Sequence, residues 1–298
     1  MKIPTWVKSY YQKPFRNEIT TPLSLFLHQA ASWIFGIAYK VIHYKNLRRS
    51  EIALGKIKAE VVNNRKSAFV FANGPSLSDI DLAKIKSLVS SGKFDLIAIN
   101  SFLSKSIGEI EPTFAVFADN LHFNASDVNS QYGRDVAVCR EKSIKYFVPV
   151  QYIDTSIDLQ IGYNAFSDIF SSNTSCLLEA AGYYGVTAFH ALRLAIQLGY
   201  REIYICGFDN SYFKDFGLDG EGRLVIRHRH YYDGEGKNIE VPSVYKKTSE
   251  FFFDTYRHFF YLEKILGGRE NVFNIAKNTY LNEVKRCFDL DVYKVIDR

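Results

Sequence analysis

Residues 67–77 read SAFVFANGPSL. A short apolar run, 67–72, stops at Asn73-Gly74-Pro75-Ser76, and helical spacing takes over from Leu77 to about Ser90. A buried strand that turns at once into a helix is the opening unit of a parallel sheet. The same pattern recurs downstream. The runs 94–99 (FDLIAI, then Asn100), 113–118 (TFAVFA, then Asp119-Asn120), 145–150, 202–206 (EIYIC, then Gly207-Phe208-Asp209) and 271–275 all read as strands. Residues 185–198 place Val186, Phe189, Leu192 and Ile196 at helical spacing, and 248–266 reads as a long aromatic helix. Strands that are apolar almost throughout need cover on both faces. The expected fold class is therefore α/β, a Rossmann-like and mostly parallel sheet with helices on both faces.

In an open sheet of this kind, ligands bind outside the carboxyl ends of the strands. Asn73-Gly74, Asn100, Asp119-Asn120 and Gly207 with Asp209 are thus expected to converge on one crevice. Gly74 would let the backbone turn sharply and approach a ligand, and Pro75 suits a helix opening. The N–H groups that follow would form an anion site. The motif is neither GxGxxG nor GxxxxGK[ST], which disfavours the common dinucleotide and P-loop readings. A plain structural turn is the alternative reading of these four residues.

With 298 residues, 47% hydrophobic and 15% aromatic, the chain has ample material for a packed core and is not a disordered protein. Its four cysteines form no CxxC pair, which argues against a disulfide scaffold or zinc ribbon and for a reducing cytosolic compartment. The net charge of +5 hides an asymmetry. Residues 1–66 carry 12 Lys+Arg against 3 Asp+Glu, while 67–298 carry 25 against 29. The mildly acidic body argues against nucleic acid as a partner. The division expected is a basic segment, 1–66, followed by a catalytic domain, 67–298.

Within the basic segment, residues 22–42 are strongly apolar, yet Ser24, His28, Ser32, Gly36 and Lys40 draw a polar stripe along one side. His28, Gln29 and Lys40 interrupt it too often for a membrane span. Basic residues flank it, Lys8, Lys13 and Arg16 before and Lys45, Arg48 and Arg49 after. The expectation is an amphipathic helix lying on an anionic membrane surface, with packing on the domain or on a second subunit as the alternative. That would make the protein cytoplasmic and peripheral on the inner face of the cell membrane, with homo-oligomerisation left open.

The segment FVFANGPSLSDID (69–81), with the strand ending at Asn100, resembles the nucleotide-binding start of bacterial sialyltransferases of glycosyltransferase family 42. The segment GVTAFHALRLAIQLGYREIYICGFDNSYF (185–213) resembles their second signature. The same blocks occur in motility accessory factor flagellin glycosyltransferases and in the wider group with archaeal-type hydroxymethylpterin pyrophosphokinases. The resemblance covers roughly residues 67–290. It implies a metal-independent, inverting glycosyltransferase that moves sialic or another nonulosonic acid from a CMP-activated donor to a cell-surface glycan or glycolipid acceptor, with no cofactor.

Residue by residue, the resemblance implies that Asn73, Gly74 and Ser76, in the turn with Pro75, hold the nucleotide phosphate and ribose. It puts Asn100 and Asn120 near the cytidine monophosphate and the sugar carboxylate, and Gly207 and Asp209 on the nucleotide, with Asp119, at the same strand end as Asn120, counted among the binding residues. Tyr183-Tyr184-Gly185 stands where the sialyltransferases have Thr-Ser-Gly. Tyr212 alone represents their paired tyrosines, one position out of register. Two other readings keep the fold, a pterin-type pyrophosphokinase and a non-catalytic, membrane-tethered nucleotide-binding module.

His228-Arg229-His230-Tyr231-Tyr232-Asp233 falls in a long Gly-rich and charged loop after the second signature. A histidine titrates near neutrality and can take an acceptor hydroxyl's proton, so His230 is the first candidate base and His228 the second, with Tyr231 beside them. The bland reading is a solvated loop. No carboxylate or cysteine is spaced to complete a metal site with the two histidines. Asp79-x-Asp81 and Asp289-x-Asp291 have the DxD shape of metal-dependent glycosyltransferases but read as structural. His190 and Arg193 read as surface or packing residues, and the clusters 251–253 and 259–261 as core.

Overall fold

The computed structural model describes residues 22–106, 110–119, 121–124, 131–166, 176–180, 186–209, 211–228, 239–242, 247–277, 279–282 and 284–287. Two helices come first, α1 (Pro22–Ile42) and α2 (Tyr44–Asn63). Strand β1 (Ser67–Phe71) leads through a 3-10 turn, Pro75–Asp79, to α3 (Leu82–Ser90) and β2 (Phe94–Ile99). Then follow α4 (Phe102–Ser106), β3 (Phe114–Val116), α5 (Leu121–Asn124), α6 (Gln131–Glu141), β4 (Lys145–Pro149) and β5 (Gln160–Tyr163). Helix α7 (Thr187–Leu198) feeds β6 (Ile203–Cys206), α8 (Tyr212–Asp215) and three short strands, β7 (Phe216–Leu218), β8 (Leu224–His228) and β9 (Ile239–Pro242). Helix α9 (Thr248–Leu266), β10 (Val272–Asn274) and β11 (Lys285–Arg286) end the described chain.

Eight strands form one sheet in the order β11-β10-β6-β1-β2-β3-β4-β5, and every pairing in it is parallel. The sheet grows outward from β1 to β5, then the chain returns and lays β6 on the other side of β1. The strand order therefore reverses between β1 and β6, which is where a doubly wound sheet opens a ligand crevice. Alternation along β1 sorts the core. Ala68 and Val70 join the cluster that α2, α7 and α9 cover, while Phe69 and Phe71 face α3 and α4. Phe69 stacks on Phe94 with ring centroids 5.1 Å apart, and Tyr204 stacks on Phe273 at 5.4 Å. The Rossmann-like α/β expectation is met. Strand β5 and the antiparallel sheet β7-β8-β9 were not legible in the sequence.

Helix α2 belongs to the body's packing. Leu54, Ile57 and Val61 repeat at helical spacing and are buried in the same cluster as α7. Ser50, one turn earlier, is fully buried against β5. Its hydroxyl accepts the Gly162 N–H at 2.8 Å and donates to the Asn46 carbonyl at 2.8 Å. An outer strand thereby has one of its backbone donors satisfied by a helix. Replacing Ser50 by alanine leaves that buried N–H without a partner, so S50A is expected to cost about 1–3 kcal/mol in denaturant unfolding. An unchanged unfolding midpoint would show that water reaches Gly162.

Candidate functional site

Strands β1 and β6 are held together at their carboxyl ends by the chain's own backbone. Ala72 N–H donates to the Cys206 carbonyl at 2.8 Å, and Gly74 N–H donates to the Gly207 carbonyl at 3.1 Å. Gly207 turns with φ +72°, and a Cβ there would come within 3.0 Å of the Ala72 carbonyl. Gly74 has an ordinary extended backbone, φ −67° and ψ 155°, so it is not glycine for the sake of a sharp turn. It is glycine because a Cβ would come within 3.0 Å of both the Gly207 carbonyl and the Asp209 carboxylate.

The turn after β1 corrects the anion-site expectation. Pro75 has no N–H, the Ser76 N–H donates to Asp209 Oδ2 at 2.9 Å, and the Leu77 N–H closes back on the Gly74 carbonyl at 3.1 Å. The backbone donors expected to meet a phosphate are thus engaged by the protein itself, while the buried Ser76 hydroxyl has no hydrogen-bond partner among the described residues. Asp209 is 7% exposed, and burial raises its carboxyl above the ordinary value against the lowering effect of Ser76 and with a smaller contribution from Asp79. Its other oxygen, Oδ1, is buried and has no hydrogen-bond partner among the described residues. Asn73 Oδ1 and Asn100 Oδ1 are in the same condition. An amide can offer either its oxygen or its NH₂, but a carboxylate can only accept. What this end of the sheet asks for is a ligand with hydroxyl or amino donors.

Asn100 takes φ +44° just after β2 and donates through Nδ2 to Thr187 Oγ1 at 3.2 Å. Thr187 opens α7, which begins without a side-chain cap. The first N–H groups of a helix have no carbonyl of their own helix to pair with, so α7 sets its positive end beside Asn100. Burial is deep around it. His190, on the first turns of α7, packs against the Tyr163 ring at 4.6 Å, and Arg193 donates to the carbonyls of Cys176 and Glu179. Both residues are 1% exposed, which makes them packing residues and excludes the surface.

A second polar network stands behind the ends of β2 and β3, and no sequence pattern signalled it. Ser101 Oγ donates to Asp135 Oδ2 at 3.3 Å, and His122 Nε2 meets the same oxygen at 3.3 Å. His122 Nδ1 lies 3.3 Å from the Asp119 carbonyl. Asp135 is fully buried on α6. These contacts tie Ser101, next to Asn100, to Asp119 beyond β3 and so fix the two strand ends relative to each other. Asp119 itself is half-buried, close enough to Tyr152 to raise its phenol after burial has done most of that work.

Of the residues singled out, Asn73, Gly74, Pro75, Ser76, Asn100, Gly207 and Asp209 therefore meet at the carboxyl ends of β1, β2 and β6, with Asp119 beyond β3. Tyr212 opens α8 and His228 closes β8, their side chains outside what the structure describes. Asn120, Gly185, His230 and Tyr231 lie outside the described residues. His228 is paired with Ile239 in an antiparallel ladder, so it belongs to a strand and not to the loop expected there. Asp81 is the N-cap of α3, accepting the Lys84 N–H at 3.1 Å, which gives the first DxD a structural role. Asp289 and Asp291 fall outside the described residues. No group of three or more His, Cys, Asp or Glu arranged to hold a metal occurs among the described residues.

One correction concerns α9. Phe251 and Tyr261 are buried, but Phe252 and Phe253 are exposed, so the aromatic cluster is core on one side only. His258, further along the helix and edge-on to Phe189 at 6.2 Å, is held neutral by burial, its pKa lowered to about 4. No family model, curated protein or solved structure matches this chain in the comparisons made with known proteins.

Proposed function

We propose that this chain is an inverting, metal-independent glycosyltransferase, peripheral on the inner face of the cell membrane, that moves a sugar from a CMP-activated donor to a cell-surface glycan acceptor. Sialic or another nonulosonic acid is the sugar that the sequence resemblance favours. The observation that carries the reading is Asp209, a buried carboxylate with one oxygen unpartnered at the switch point between β1 and β6. A ribose diol supplies the donors that such an oxygen lacks, as do the amino groups of a base. The uncapped N-terminus of α7, beside Asn100, offers a place for the phosphate or the sugar carboxylate that the turn after β1 does not.

In this reading the acceptor hydroxyl attacks the anomeric carbon, and its proton passes to a base for which His230 remains the first candidate. The bond from the anomeric carbon to the phosphate oxygen breaks, and CMP leaves with the electron pair. The test is a melting-temperature panel with CMP, CDP, UDP and ATP, each with and without Mg²⁺. CMP is expected to stabilise the protein without metal, by about 2.7 kcal/mol at a hundredfold excess over its Kd. Stabilisation by ATP with Mg²⁺ alone would replace the transferase by a pyrophosphokinase. No shift with any nucleotide would leave a non-catalytic module.

A further inference from the structure

We propose that the outward face of α1 docks on an anionic bilayer and holds the crevice end of the sheet against it, a placement that rests on the membrane-surface reading above. Helix α1 is packed inside out. At about 100° per residue, Phe35, Gly36, Tyr39 and Lys40 share one side, and Trp33, Ile34, Ile37, Ala38, Val41 and Ile42 share the other. The first side meets the body. A Cβ on Gly36 would lie 3.4 Å from the Phe166 ring, the Tyr39 and Phe166 rings are 5.8 Å apart, and Tyr39 donates its hydroxyl to Gln151. Lys40 pairs with Glu179. The second side is open, with Trp33 66% and Val41 69% exposed.

The described part of the polar stripe, Gly36 and Lys40, is thus turned toward the protein, and the apolar arc is turned away from it. A helix covering a domain in water has the opposite arrangement. Its position matters as much as its polarity. Gln151 lies in the turn just after β4, and Phe166 lies three residues after β5. Helix α1 therefore sits at the carboxyl end of the sheet, the same end at which Asn73, Asn100 and Asp209 converge.

Charge selects the occupant. Residues 1–66 carry 12 Lys+Arg and 3 Asp+Glu, and Tyr44 and Lys45 continue the exposed surface past α1. A second copy of the same face would set a basic segment against its equal, whereas an anionic leaflet complements it. A tryptophan among exposed aliphatic residues suits the headgroup boundary. No helix among the described residues is long and apolar enough to cross a membrane, so the contact is one of lying on the surface.

The experiment is co-sedimentation of the full chain with vesicles of phosphatidylcholine, alone or mixed with phosphatidylglycerol, at low and high salt. Wild type is expected to pellet with the mixed vesicles at low salt and to be partly released by high salt. The W33E/I37E variant should bind at least about tenfold more weakly, since it puts two charges on the apolar arc. Both positions are exposed, so its melting temperature should match wild type. V41E, made separately, should weaken binding in the same direction. Failure of wild type to pellet, or equal pelleting by all variants, overturns the inference. Light scattering that shows a wild-type dimer broken by W33E/I37E, with no vesicle binding, assigns the face to a second copy and also overturns it. The CMP-dependent melting shift is expected to be the same in wild type and variants, so its absence would count against the transferase and not against the docking face.

Discussion

Replacing Gly74 by alanine should cost about 3 kcal/mol of stability, at the upper end of what overpacking costs, and abolish nucleotide binding with it. The added methyl would come within 3.0 Å of the Gly207 carbonyl and the Asp209 carboxylate at once, and one of these is backbone. Relief requires the ends of β1 and β6 to separate. That breaks the Gly74 to Gly207 and Ser76 to Asp209 hydrogen bonds and dismantles the crevice at its switch point. The sequence reading makes Gly74 a place for a ligand's close approach, whereas in the structure its missing Cβ makes room for the Gly207 carbonyl and the Asp209 carboxylate. The internal control is Gly55 on α2, whose added Cβ would meet nothing within 4 Å. Its alanine variant should gain up to about 1 kcal/mol from helix propensity. Urea unfolding of both variants, with CMP titrations, measures the contrast. A Gly74→Ala protein as stable as wild type would mean that the two strand ends are free to move apart.

Asp209→Asn is expected to separate stability from binding. Burial holds this carboxyl above its ordinary value of 3.8, so the native state binds the proton more tightly than the unfolded chain does. The stability this group contributes is fully present below pH 3.8 and is lost as pH rises through the raised native value. At neutral pH the protein therefore carries the cost of a buried charge, offset in part by the Ser76 N–H. Asparagine keeps an acceptor for Ser76 and removes the charge, so the unliganded variant should melt no lower than wild type at pH 7, and its loss of stability with rising pH should be smaller. Its NH₂ then faces the ligand's donors in place of an acceptor. Nucleotide affinity should fall by about a hundredfold, or about 2.7 kcal/mol. Unchanged affinity by calorimetry would take Asp209 out of the site.

The two histidine-bearing regions show why the candidate site was only partly legible. His230 stood out because it lies among tyrosines and charges close to a recognisable strand, a local pattern. His122 has no such neighbours in sequence. It becomes notable only when α5 and α6 bring it to Asp135, 13 residues away, with Ser101 reaching the same carboxylate from beyond β2. The antiparallel sheet that includes His228 was hidden for a related reason. Its strands are three to five residues long, too short for alternation to rise above composition.

The sequence by itself determined the sheet and the small or polar residues that end its strands. Runs such as FVF and DLIAI can only be buried strands, and a small or polar residue at the end of each one marks the edge of the layer. Periodicity is a local property, and these elements are periodic. Which groups at those ends are still available was decided by the tertiary structure. Asn73, Ser76 and Asp209 look equally competent in the sequence, but Asp209 reaches across 133 residues to take the Ser76 N–H, and so removes a backbone donor from the expected anion site. The same holds for α1, whose amphipathic pattern fixes that it has two faces and not which of them meets the protein. That was settled by Phe166, Gln151 and Glu179, residues more than a hundred positions away, because packing energy depends on the surface a face meets and only the folded chain supplies that surface.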